Sequence, residues 1–130
     1  MVYIDDPRGR WSVPAAQVLR IVAATDWILT PAIDVLAGLG PLPWSRSRRV
    51  LVVSARGRDV VALVAAGAIA IEEVAASAVL PLPRELAAAT PQVSAVVVAP
   101  DASLSLLIEP SAVLSSGAPE VGEELCPSHS

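Results

Sequence analysis

Arg49-Val50-Leu51-Val52-Val53-Ser54-Ala55-Arg56-Gly57-Arg58-Asp59-Val60-Val61-Ala62-Leu63-Val64 is the stretch that decides the fold class. Two β-branched apolar runs, Val50 to Ser54 and Val60 to Val64, flank a short charged turn at Arg56-Gly57-Arg58. That arrangement predicts a β-hairpin. Outward from it, Ala68 to Val74 reads as a continuation of the meander. Val93 to Val98 and Leu104 to Ile108 read as a second strand pair, turned at Pro100-Asp101-Ala102. Near the N-terminus, Val2 to Ile4 and Arg10 to Val13 flank the turn cluster Asp5-Asp6-Pro7-Arg8-Gly9, a further hairpin. Pro14 can open a helical turn through Gln17. Val18, Ile21 and Val22 then recur at helical spacing, while their β-branching suits a strand equally well. Pro83 to Ala89 is a short helix with proline in its first turn. Many short strands with frequent punctuation predict an all-β barrel or a pair of barrels.

The chain has 130 residues, 54% of them hydrophobic and 17% charged, with a net charge of −4. One domain is the expectation for this length, and it can bury a core without metal or disulfide. The domain is assigned to residues 1–115 as two intertwined β lobes, and residues 116–130 to a flexible acidic tail too poor in apolar side chains to order itself. Cys126 is the single cysteine, so no internal disulfide framework exists, which fits a reducing cytoplasm. The acidic balance argues against a nucleic-acid binder, which needs a basic footprint. Val60 to Ile71, the longest run free of polar side chains, is too short to span a membrane, which takes about 20 residues. Met1 to Asp6 lacks the pattern of a signal peptide.

Catalytic chemistry finds little support. His129 is the single histidine, near the end of the expected tail, where an imidazole is poorly held for acid–base or nucleophilic work. Cys126 and His129 are too few for a closed zinc site. The acid pairs Asp5-Asp6, Glu72-Glu73 and Glu123-Glu124 point to opposite faces of any strand and read as solvated charge. Asp34 interrupts an apolar run and must find hydrogen-bond partners, a structural role. Gly38-Leu39-Gly40 lacks the third glycine and the helix of a dinucleotide loop. Arg46-Ser47-Arg48-Arg49 is a basic cluster that suits an acidic partner or a solvated strand flank. Trp11, Trp27 and Trp44 suit core or interface packing better than base stacking. No catalytic residue, cofactor or metal is expected, and the chain is not read as an enzyme.

With the elements in this order, the chain resembles CheW-type coupling proteins, adaptors that join chemoreceptors to a histidine kinase. Arg10-Trp11-Ser12-Val13-Pro14-Ala15-Ala16-Gln17-Val18-Leu19-Arg20-Ile21 resembles the family's strand leading into a Val-x-Glu-Val element. Pro31-Ala32-Ile33-Asp34-Val35-Leu36-Ala37-Gly38-Leu39-Gly40 is similar to its Pro-Val-Val-Asp-Leu-x-x-x-Leu-Gly segment. The strands from Arg49 to the closing Pro81-Leu82-Pro83 look alike. Leu106-Leu107-Ile108-Glu109 through Leu114 resembles the terminal Leu-Leu-Asp-x-x-x-Leu. Between Thr30 and Pro31 the family carries roughly twenty further residues, far more than a hairpin loop holds. They include an Asn-Leu-Arg-Gly signature, which this asparagine-free chain lacks. Arg20 stands for the family's glutamate, Ala66 for an aspartate and Glu109 for an aspartate.

The resemblance implies paired intertwined SH3-like β-barrels, one of them trimmed, with one or two short helices. Shortened CheW-like proteins, of the kind called FrzB in gliding bacteria, fit this pattern. It further implies a cytoplasmic adaptor that binds the tip of a methyl-accepting chemoreceptor through Val18, Arg20, Ile21 and Val22. Those apolar side chains suit a binding groove and a buried core equally well. A CheA-type histidine kinase or a full-length CheW-like coupler is a further implied partner, with coupling weakened by the departures above. Asp34 and Glu109 are assigned structural roles. The competing class is a small β-barrel carrier or enzyme that holds a hydrophobic ligand, although no convergent polar groups declare such a pocket.

Overall fold

The computed structural model describes residues 1–26, 32–43, 48–56, 59–89, 92–99, 101–116 and 120–121. Its strands are β1 (Val2–Asp6), β2 (Gly9–Val13), β3 (Val18–Ala23), β4 (Ala32–Ile33), β5 (Arg49–Ser54), β6 (Val60–Ala65), β7 (Ala68–Ile71), β8 (Val79–Pro81), β9 (Val93–Val98), β10 (Leu104–Ile108) and β11 (Glu120–Val121). Two short helices, α1 (Arg84–Ala89) and α2 (Pro110–Ser116), interrupt them. The chain is mainly β, as its punctuation predicts.

Two mixed sheets form. One has the order β7-β1-β2-β10-β9-β8, the other β11-β4-β6-β5-β3. Neighbours are antiparallel except β2 with β10 and β4 with β6. Neither sheet closes on itself among the described residues. Both faces of β5 and β6 are nevertheless buried, which explains the uninterrupted apolar runs of these central strands. One face of β5 and β6 gives Leu51, Val53, Val61 and Leu63 to a core shared with Ile4, Trp11 and Val13 of the other sheet. The opposite face gives Val50, Ala62 and Val64 to a smaller cluster with Ala24 and Ala32. Burying each leucine or valine stabilises the fold by about 1.5–3 kcal/mol.

The inner strands of the six-stranded sheet bury side chains on both faces too. Ile4 and Trp11 point into the shared core, while Tyr3, Ser12 and Val97 on the other face are wholly inaccessible. The hydroxyls of Ser12 and Ser105 share a buried 3.1 Å hydrogen bond there.

The meander reading fails at β7. The strand pairs with β1, from Ala68↔Asp5 to Ile71↔Val2, and not with β6. Gly67 makes the crossing possible: a Cβ there would overlap the Asp5 carbonyl, so the chain passes from one sheet to the other only where no side chain intervenes. Beyond residue 115, Ser116 closes α2, and Glu120–Val121 pairs with Ala32–Ile33. The remainder, with Cys126 and His129, lies outside the described residues, as do Trp27, Thr30, Pro31, Trp44, Arg46, Ser47, Gly57, Arg58 and Pro100.

Candidate functional site

Pro14 begins a single 3-10 turn, Ala15–Gln17, closed by the Gln17 amide donating to the Pro14 carbonyl at 3.0 Å. The chain then runs out as β3. Its ambiguous periodicity resolves to a strand because β5 offers a complete partner ladder, Arg20↔Val52, Ile21↔Leu51, Val22↔Val50 and Ala23↔Arg49. The register slips between Val18 and Arg20, leaving Leu19 at a bulge. β3 is the last strand of its sheet, so its other side has no strand partner among the described residues.

The four residues assigned to receptor binding divide at this edge. Val18 is half-buried against the shared core and Val22 against the smaller cluster, so both serve packing. Arg20 is exposed, and Ile21 is 38% exposed although it lies opposite buried Leu51. Leu19, which the sequence reading passed over, is 55% exposed. Exposed Arg49 stands beside Ala23. The outward surface is therefore Leu19, Arg20 and Ile21 with Arg49 at one end, and neither β3 nor β5 contains an acidic residue.

A second constellation joins the two sheets. The turn between β1 and β2 projects Arg8 toward Asp34, in the loop after β4. The Arg8 guanidinium donates to both Asp34 carboxylate oxygens at 2.7 Å, to both Asp6 oxygens at 3.0 and 2.9 Å, and to the Gly40 carbonyl at 3.1 Å. All three charged side chains are nearly inaccessible, at 8% for Arg8, 0% for Asp6 and 6% for Asp34. Burial by itself works against the cation. The hydrogen bonds from Asp6 and then Asp34, with their negative charges, outweigh it and hold the guanidinium above its ordinary pKa. Asp34 Oδ1 also accepts the Leu36 amide at 3.2 Å, shaping the loop that inserts Val35 and Leu36 into the core. Gly40 adopts φ 137°, a conformation open to glycine alone, where it ends the 3-10 turn Ala37–Leu39. Asp6 is thus a buried ligand of Arg8 and not the solvated charge its sequence suggested. The signal that could have revealed this cluster is an arginine in a tight turn, separated from two aspartates by a single proline.

Arg10 lies over the Tyr3 ring, 4.3 Å from its centroid, and donates to Ser103 Oγ at 2.9 Å. Burial first, then the charge of Glu72, raises the Tyr3 phenol above its ordinary pKa. Its hydroxyl has no hydrogen-bond partner among the described residues. Glu109 stands at the head of α2, where its carboxylate accepts from Ser111 Oγ at 2.9 Å and its carbonyl accepts the Ala112 amide at 3.0 Å. Ala66 is buried.

Among the described residues the charged side chains are drawn into ion pairs or left at the surface. Asp6 and Asp34 are both spent on one arginine, and Glu72 and Glu73 are exposed. Among the described residues no group of three or more His, Cys, Asp or Glu could hold a metal. No helix among them is long and apolar enough to cross a membrane. What this arrangement offers is a strand edge with Leu19, Arg20 and Ile21 exposed, on a sheet whose loop after β4 is clamped by Arg8 of the opposite sheet.

No protein-family model matches the chain, and no curated protein does. Among solved structures, the chain is similar to the scaffolding protein TtCheW from Thermoanaerobacter tengcongensis. The two superpose with a TM-score of 0.65 at 16% sequence identity, over 82% of this chain and 86% of that one. This chain has the fold of a CheW scaffolding protein.

Proposed function

We propose that this protein is a non-catalytic adaptor of a bacterial chemosensory assembly, working in the cytoplasm. It receives the tip of a methyl-accepting chemoreceptor at the β3 edge and passes the signal only weakly to a CheA-type histidine kinase. The observation that carries this reading is the shared fold with a CheW scaffolding protein over four-fifths of the chain. A scaffold needs surfaces more than reactive groups, and Leu19 and Ile21 supply exposed apolar anchors flanked by Arg20. Weak coupling is favoured by Arg20 and Ala66, which stand where the family has acids. A charge reversed or deleted across an interface costs several kcal/mol once desolvated. It is favoured too by the missing Asn-Leu-Arg-Gly segment, the mark of a shortened, FrzB-like form. A full-length coupler would then share the array with this protein.

The test is retention of the full chain on an immobilised receptor cytoplasmic fragment, with the kinase assayed separately. The receptor retains the wild-type chain, and Ile21→Asp loses that retention while its circular dichroism stays unchanged. Retention on neither receptor nor kinase contradicts the reading.

A further inference from the structure

We draw no further inference here: the strongest candidate, the exposed apolar edge of β3 at Leu19 and Ile21, belongs to the site already described, and nothing in the structure shows what covers it.

Discussion

Arg8 and Asp34, 26 residues apart, meet through a pair of 2.7 Å hydrogen bonds that tie the β1–β2 turn of one sheet to the loop after β4 of the other. The same guanidinium holds buried Asp6 and the Gly40 carbonyl. Arg8 thereby adds a polar tie between two sheets already joined through their shared core.

Arg8→Ala leaves two buried carboxylates without their cation. Removing one partner of a buried pair costs about 3–5 kcal/mol, so the urea midpoint should fall steeply. Arg8→Lys recovers only part of this, because an ammonium cannot present parallel donors to two carboxylates. A double-mutant cycle with Asp34→Ala should show strong coupling.

Gly67→Ala must push the Asp5 carbonyl aside at the crossing from β6 to β7. The expected loss exceeds the roughly 1 kcal/mol scale of ordinary glycine substitutions. Thermal unfolding measures it, and an unchanged midpoint would mean that the crossing is not so tight.

Ala102 holds φ 66° in the β9–β10 turn, in the left-handed region that glycine tolerates. Ala102→Gly relieves a strain of about 1 kcal/mol, partly offset by glycine's greater freedom when unfolded, and should raise the melting temperature slightly.

Asp101 in that turn accepts from the Ser103 hydroxyl at 2.6 Å and the Ser103 amide at 3.0 Å, and these bonds lower its pKa. Its contribution is present above the ordinary carboxylate pKa and is lost as pH falls through the depressed folded value. Tyr3 works in the opposite sense. Its raised pKa gives a contribution present below the ordinary phenol value and lost as pH rises through the folded one. Urea titrations across pH should flatten on the acid side in Asp101→Asn and on the alkaline side in Tyr3→Phe. Tyr3→Phe should cost little near neutrality, since the hydroxyl has no partner among the described residues.

Local pattern made much of the fold legible. Val50 to Val64 announced its hairpin because β-branched runs around a glycine turn admit few alternatives, and the Val2–Val13 hairpin was equally plain. The route of β7 was not legible, because it depends on Gly67 meeting Asp5, more than sixty residues away in sequence. The surface was legible in part. Val18, Ile21 and Val22 look alike in sequence and all lie opposite buried residues of β5, so only their place at the edge of the folded sheet separates the packed from the exposed. Leu19 was missed because its exposure comes from a bulge at the sheet edge, a property of pairing rather than of composition. Arg8 was missed because its partners come from both ends of a long sequence gap.

The central claim is tested most directly by reconstituting receptor fragments, a CheA-type kinase and this protein as the sole coupler, and reading phosphorylated kinase beside receptor co-sedimentation. The account predicts that the chain co-sediments with receptor, that Ile21→Asp abolishes this, and that kinase activation stays well below the level a full-length coupler reaches. No co-sedimentation with receptor, or activation equal to that of the full-length coupler, would contradict it.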